Sequence, residues 1–447
     1  MKKVITYGTY DLFHDGHRRL LQRAKDLGDY LIVGVTTEAY DEMRGKLNVK
    51  QSLIDRIKQI QDSGLADEII IEEYEGQKIN DIQKYNIDIF AIGSDWINRF
   101  DYLKDYCSVV YLDRTKGISS TDLRNLEGIL KIGIVGTGRI AKRFVPEARF
   151  VSGIDIVGAY SRNSTNCKKF VSHFELSLAA KNYNELLSSV DAVYIATPHL
   201  THKQLALEAI RQGKHVLCEK PITLNTHCLL ELIEEAKQHN VVLLEAIKTA
   251  FCPAFNRLVA YAKSGIIGDI KAVDATFTKL TNGNFRELQA EHGGGSFYEL
   301  GSYPLLAILK LLGKEHCDIR MLQYKPNESE VETYSRIDII YPHGIGSAKT
   351  GLGVKSEGDL IISGTKGYIY VPAPWWKTEY FEVRFEDTNK NRKFFYKFEG
   401  DGLRYELAYF SNMIRNKNPQ AYQLTTDESK WICSIMESSY KNKCIIK

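Results

Sequence analysis

Two places along the chain share one pattern: a short apolar run breaks into glycine and gives way to helical spacing. The first is Val4-Ile5-Thr6-Tyr7-Gly8-Thr9, after which Leu20, Leu21, Ala24 and Leu27 recur on one face of a helix beginning near His17. The second is Ile132-Gly133-Ile134-Val135-Gly136-Thr137-Gly138, with a helix from about Arg139. Open α/β domains begin this way, so two such openings predict two nucleotide-binding domains. In the first, strand-like runs at Tyr30–Val35, Glu68–Ile71, Ile87–Ile92 and Val109–Leu112 alternate with helical patterns at Lys50–Asp62 and Ile79–Tyr85. In the second, strands are predicted at Ile156–Tyr160, Ala192–Ala196, His215–Leu217 and Val241–Leu244. Beyond Ala250 the runs lengthen and alternate in polarity, at Ile270–Thr278, Glu330–Tyr341, Gly346–Gly353, Asp359–Ser363 and Tyr380–Phe385, with few helices between them. Such alternation predicts an open, mostly antiparallel sheet that binds substrate and joins subunits.

The expected fold class is therefore α/β. Two doubly wound Rossmann-like domains, at 1–127 and 129–249, precede an α+β domain at 250–447. The joint at Glu127-Gly128 is nearly linkerless, which predicts a fixed relation between the first two. A chain of 447 residues fits this division, since domains usually hold about 100–200 residues. A net charge of +3, spread along the chain, excludes a dedicated nucleic-acid binder but not phosphorylated small molecules. The eight cysteines form no Cys-x-x-Cys pair and no zinc spacing, which fits thiols in a reducing compartment. The start, MKKVITYGTYDLFHDGH, lacks the apolar core of a signal peptide, and no 18-residue apolar stretch occurs. A cytoplasmic protein with no membrane partner is expected, as a homodimer or homotetramer through the C-terminal sheet.

The first opening continues as Gly8-Thr9-Tyr10-Asp11-Leu12-Phe13-His14-Asp15-Gly16-His17. It places two imidazoles at a helix N-terminus, where free N–H groups and the dipole favour phosphate. Fixed donors there stabilise charge building on a phosphorus under attack. Gly16 lets the turn approach the phosphate. With the distant Arg114-Thr115-Lys116-Gly117-Ile118-Ser119-Ser120-Thr121 and Gly93-Ser94-Asp95-Trp96, residues 1–127 resemble the glycerol-3-phosphate cytidylyltransferase family of nucleotidyltransferases. That resemblance implies catalysis by His14, His17, Lys46 and Arg114. It implies CTP contacts at Gly8, Thr9, Tyr10, His14, His17, Arg114, Ser119 and Thr121, and acceptor contacts at Arg44, Arg56, Asp95 and Trp96. Mg²⁺ would arrive with CTP through phosphate oxygens, with no protein metal cluster.

The second opening reads Gly136-x-Gly138-x-x-Ala141, a dinucleotide fingerprint. Its next strand ends in Tyr160-Ser161-Arg162, with no carboxylate for a ribose hydroxyl. Ser161 and Arg162 suit a 2′-phosphate, which favours NADP while leaving NAD open. Ala196-Thr197-Pro198-His199-Leu200-Thr201-His202 and Glu219-Lys220-Pro221 follow, then Gly293-Gly294-Gly295-Ser296-Phe297-Tyr298-Glu299-Leu300-Gly301-Ser302-Tyr303. These motifs resemble the glucose–fructose oxidoreductase and inositol dehydrogenase family over 129–447. The resemblance implies Lys220 and Tyr303 as the proton-handling pair. Cofactor contacts are expected at Gly136, Thr137, Gly138, Arg139, Ile140, Ser161, Arg162, Thr197, Pro198, His199, His202, Glu219 and Lys220, with Glu245 at the next strand end. Glu299 stands where that family carries aspartate, Tyr303 where it often carries histidine, and His199 where asparagine is more common.

Juxtaposed, the two halves suggest reduction of a ketose phosphate followed by cytidylyl transfer to the resulting polyol phosphate. Two alternatives stay open on the sequence. The second half is a non-catalytic NAD(P)-binding or dimerising module, or it acts on the CDP-linked product.

Overall fold

A computed structural model describes residues 1–113, 129–281, 286–326, 329–416, 423–441 and 443–446. The first sheet is wholly parallel, with β1 (Lys3–Gly8), β2 (Tyr30–Thr36), β3 (Glu68–Glu72), β4 (Ile89–Gly93) and β5 (Ser108–Leu112) in the order β3-β2-β1-β4-β5. Val4, Ile5, Leu31, Ile32, Val33, Phe90 and Ala91 are wholly buried because helices cover both faces. The helix expected from Lys50 starts at Leu53, where the Ser52 side chain caps it.

The second sheet is also parallel. It comprises β6 (Leu130–Val135), β7 (Ile154–Tyr160), β8 (Leu178–Ala179), β9 (Ala192–Ile195), β10 (His215–Glu219) and β11 (Leu243–Ala246), ordered β11-β10-β9-β6-β7-β8. In both sheets the strand order reverses beside the first strand, which opens a crevice at the strand ends between β1 and β4 and between β6 and β9.

The third sheet has nine strands: β12 (Ile270–Thr278), β13 (Asp318–Tyr324), β14 (Tyr334–Tyr341), β15 (Gly344–Gly351), β16 (Leu360–Gly364), β17 (Tyr368–Val371), β18 (Tyr380–Arg384), β19 (Arg392–Phe395) and β20 (Lys443–Ile446). Its pairs are antiparallel except β12 with β15 and β13 with β20. The fold class expected from the pattern holds. Among the expected strand runs the one long helix in the described residues is Ser302–Leu312, and Leu403–Arg415 and Thr426–Lys441 follow the last of those runs. Ser302–Leu312 is buried at every position but Lys310, so it carries no polar stripe to betray its period.

The Glu127-Gly128 joint lies outside the described residues, but other contacts tie the first unit to the rest. The Leu47 N–H donates to the Phe150 carbonyl at 2.6 Å and the Ser152 N–H to the Leu47 carbonyl at 2.8 Å, a parallel bridge between units. The Asn48 amide donates to the Ala408 carbonyl and the Ser411 hydroxyl, and its oxygen accepts from Asn412. Arg404, 1% exposed, grips Glu147 with Nε at 3.0 Å and Nη2 at 2.9 Å, its guanidinium 3.8 Å from the Phe150 ring centre. A Cβ at Gly45 would meet Arg404 Nη1 at 2.6 Å, so only glycine lets this loop pass, at φ +77°.

Candidate active sites

In the first unit, β1 delivers the chain at Gly8 into a loop where Tyr10 and Leu12 adopt positive φ of 53° and 49°. This loop is fixed by polar contacts that offset its strain. Asp11 accepts the N–H groups of Lys50 and Gln51, and Gln51 Oε1 accepts the Leu12 N–H at 2.7 Å. His14 then caps the helix Asp15–Lys25. Its Nδ1 accepts the Gly16 N–H at 3.0 Å, and His17 Nδ1 faces the His14 N–H at 3.4 Å. Both Nδ1 atoms therefore accept, so each neutral ring carries its proton on Nε2 as a donor. The rings stack with centroids 3.9 Å apart. Burial, then His14 and Lys46, push the His17 pKa well below the usual range, so it stays a neutral donor. A Cβ at Gly16 would meet the His14 ring at 2.7 Å; glycine lets the imidazole fold back onto the helix end.

Lys46 donates from Nζ to the Arg149 carbonyl at 2.7 Å, and burial, then Arg44, pushes its pKa down to about 8. Several residues expected at the site are engaged in holding it. Tyr10 is buried and packs edge-on against His17 at 5.5 Å, supporting that ring. Arg56 is wholly buried; its Nη1 donates to the Thr9 and Thr36 carbonyls and holds the loop, while its Nη2 lies 3.5 Å from Glu38 without a hydrogen bond. Arg44 is held by Asp41 at 2.6 Å and donates to the Thr9 hydroxyl at 2.7 Å, occupying both side chains in one network. Asp95 pairs with Arg149 at 3.0 Å, and Trp96 packs edge-on against Phe150 at 5.6 Å. Arg114, Ser119 and Thr121 lie outside the described residues.

In the second unit, Gly136 turns at φ +98° with its N–H donating to the Tyr160 carbonyl, and a Cβ there would meet the Ala196 carbonyl oxygen at 2.6 Å. Gly138 precedes the helix Arg139–Ala148 with no side-chain cap, so the N–H groups beyond Thr137, at Arg139 and Ile140, remain available to an anion. The Arg139 side chain instead pairs with Glu287 at 2.9 Å. Ser161 and exposed Arg162 follow β7 directly. A dinucleotide with its pyrophosphate at the bare helix end and its ribose at Ser161–Arg162 fits these residues.

Lys220 follows β10 and donates from Nζ to the Glu299 carbonyl at 2.7 Å, 5.7 Å from the Tyr303 ring centre. Burial, then Glu219 and Glu406, raise the Tyr303 pKa far above the phenol range, so the hydroxyl is kept protonated. The Glu219 carboxylate accepts from the Tyr194 hydroxyl. Glu245 accepts the Ile222 N–H, and burial raises its pKa. His199 Nε2 lies 3.5 Å from Glu299, while its buried Nδ1 has no hydrogen-bond partner. His202 is wholly buried, and its ring nitrogens reach the Pro221 and Thr197 carbonyls at 3.0 and 2.9 Å, clamping two loops at the strand ends. Thr197 Oγ1 accepts from Thr201, and Pro198 leads the short turn His199–Thr201.

Sequence patterns did not single out Arg149, Arg404 or Arg415. Their partners lie far away in sequence, at separations such as 257 residues for Arg404 and Glu147, and no local spacing announces them. Among the described residues no group of three or more His, Cys, Asp or Glu is placed to hold a metal ion, and no helix is long and apolar enough to cross a membrane.

Comparison with known proteins separates the same two parts. A family described as cytidylyltransferase-like matches residues 5–126. The oxidoreductase family with an NAD-binding Rossmann fold matches 130–246, and the GFO/IDH/MocA C-terminal domain matches 255–370. A glycerol-3-phosphate cytidylyltransferase from Bacillus spizizenii is 52% identical over 124 residues, which cover 95% of that protein and 28% of this chain. A trans-1,2-dihydrobenzene-1,2-diol dehydrogenase from Sus scrofa is 28% identical over 323 residues, covering 96% of that protein and 70% of this chain. A 3-ketoreductase from Actinomadura kijaniata, crystallised with NADP and TDP-benzene, shares the fold at a TM-score of 0.65 with 20% identity, covering 98% of that chain and 71% of this one.

Proposed function

The chain belongs to the cytidylyltransferase-like family in its first unit and to the GFO/IDH/MocA oxidoreductase family in the remainder, and from that premise we propose that it makes a CDP-linked polyol in two steps. The observation that carries this reading is that both sites are equipped in one chain: stacked neutral imidazoles at one helix end, and Lys220 beside a protonated Tyr303 at the other.

In the first step a ketose phosphate, NADPH and a proton give a polyol phosphate and NADP⁺. A bound nicotinamide supplies the hydride. Lys220 orients the carbonyl oxygen, and the Tyr303 hydroxyl, with Lys220 beside it, gives the proton that turns it into an alcohol. Exposed Arg162 beyond β7 favours the 2′-phosphate of NADPH. In the second step a phosphate oxygen of the polyol phosphate attacks the α-phosphorus of CTP. The bond to the β-phosphate oxygen breaks and pyrophosphate leaves. His14 and His17 donate from Nε2 to the α-phosphate oxygens as their charge grows, and Lys46 offsets the repulsion between the two anions. Mg²⁺ arriving on the nucleotide would offset part of the triphosphate charge.

The geometry supports release of the intermediate between steps. Lys46 meets the second unit at Arg149, where β7 is about to start, whereas the dinucleotide turn lies where β6 ends. A six-residue strand spans roughly 20 Å, so the Lys46–Arg149 contact and the dinucleotide turn lie at opposite strand ends of the second sheet. The test is to supply CTP, NADPH and a panel of ketose phosphates to the purified protein. Equal amounts of NADP⁺, pyrophosphate and CDP-polyol are expected from one of them. CTP turnover only with ready-made polyol phosphates, and no NADPH oxidation with any ketose phosphate, sinks the sequential reading.

A further inference from the structure

We propose that the oxidoreductase unit completes the acceptor pocket of the cytidylyltransferase, with Arg149 binding the hydroxyls of a phosphorylated polyol longer than glycerol. The inference rests on the functional reading above and adds the residue and the substrate length.

The segment that follows the helix Arg139–Ala148 runs along the strand-end edge of the first sheet. Its Arg149 carbonyl takes the Lys46 ammonium at 2.7 Å, and Lys46 is close enough to His17 to depress its pKa. The Arg149 guanidinium reaches the other side of the same crevice, 3.0 Å from Asp95, just beyond β4. One residue of the second unit therefore bridges the β1 side and the β4 side of the site, where an acceptor must sit to reach the α-phosphorus. Both partners stay part-exposed, at 28% for Arg149 and 24% for Asp95, so the pair is not sealed in the interface between the units.

A guanidinium paired with a carboxylate sets donors and acceptors side by side within one small area. That combination reads neighbouring hydroxyls, each of which donates once and accepts as well. The cytidylyltransferase from Bacillus spizizenii is covered to 95% by 28% of this chain, so the wall built by Arg149 and Phe150 is an addition to that unit.

A second observation points the same way. Arg415 holds this segment by donating from Nη2 to the Gly153 carbonyl at 2.6 Å. Its Nε and Nη1 are buried without a hydrogen-bond partner. Buried guanidinium donors are costly to leave unsatisfied. Asp11 of the histidine loop is the counter-charge acting on it. Arg415 thus ties the added wall to the charge of the histidine loop.

The test compares Arg149→Ala, Arg149→Lys and Arg415→Ala with the unaltered full chain. Acceptors are glycerol 3-phosphate and a five-carbon polyol phosphate. Both kcat/KM with CTP and calorimetric Kd, in the presence of a non-hydrolysable CTP analogue, are measured. The unaltered protein is expected to prefer the five-carbon acceptor. Arg149→Ala should lower its kcat/KM at least tenfold through KM, leave KM for CTP and NADPH oxidation unchanged, and erase the preference. Arg149→Lys should restore part of it, and Arg415→Ala should weaken both acceptors alike. Equal loss for both acceptors in Arg149→Ala, a matching rise in KM for CTP, or no change in calorimetric Kd overturns the inference. Were no acceptor turned over by the unaltered protein, the functional reading would fail, and the calorimetric Kd values would still decide this one.

Discussion

The two strand–glycine–helix openings look alike in sequence and end in opposite ways. At the first, His14 and His17 cover the helix end with their own Nδ1 atoms and turn Nε2 outward. At the second, Gly138 leaves the helix end bare. A bare end binds an anion with backbone donors and does nothing more, which suits a cofactor that must be held while chemistry occurs elsewhere. A capped end exchanges backbone donors for imidazoles, which stand off the backbone and can meet charge that develops on a reacting phosphorus. The second unit accordingly keeps its proton-handling groups apart from its pyrophosphate turn, on Lys220 and Tyr303.

The largest effects should keep the two activities separate. Lys220→Ala or Tyr303→Phe is expected to lower NADPH oxidation by roughly 10²–10⁴-fold and to leave cytidylyl transfer intact. His17→Ala should lower transfer by about 10²–10³-fold and leave NADPH oxidation intact. Steady-state assays of both reactions on each variant check this, and a variant that loses both would erase the contrast between the openings.

The next effect breaks the symmetry between units. Arg404→Ala strands the buried Glu147 carboxylate and frees the loop that carries Lys46. A loss of about 3–5 kcal/mol is expected for removing one partner of a buried ion pair. Chemical denaturation measures it. Below the transition, transfer should suffer more than reduction, because the first site leans on the second unit.

How much of this was legible in the sequence differs between levels. Parallel strands buried on both faces read as plain apolar runs, so β1, β2, β4, β6 and β9 were visible. Helix Ser302–Leu312 was not, because an apolar run without a polar face has no readable period. His14, His17, Lys220 and Tyr303 were legible through motifs and their spacing. Arg56 was legible only as an acceptor contact; a helical arginine is usually solvated, and only the structure shows the two carbonyls it holds. The Arg404–Glu147 and Arg149–Asp95 pairs join distant segments, and nothing local in the chain encodes such a meeting.

A smaller effect concerns pH. Lys46, with its pKa pushed down to about 8, is charged below that value and loses its proton above it. The kcat/KM of transfer is therefore expected to fall above about pH 8, by roughly tenfold for each further unit. Lys46→Arg should remove that limb. His17, already neutral, should add no acid limb near pH 6.5, the usual imidazole range. The smallest effect is cofactor choice. Arg162→Ala should reduce the preference for NADPH over NADH by about fivefold, as expected for losing one solvent-exposed hydrogen bond of about 1 kcal/mol net. Paired KM values for the two cofactors report it.

The central claim, two consecutive reactions on one chain, is tested most directly by isotope transfer. The protein is given CTP, a ketose phosphate and NADPH deuterated at the transferable position, and the nucleotide product is weighed. The account predicts a CDP-polyol carrying one deuterium on carbon, formed in step with NADP⁺. A CDP-linked product without deuterium, or deuterated polyol phosphate that never becomes CDP-linked although CTP is present, would contradict it.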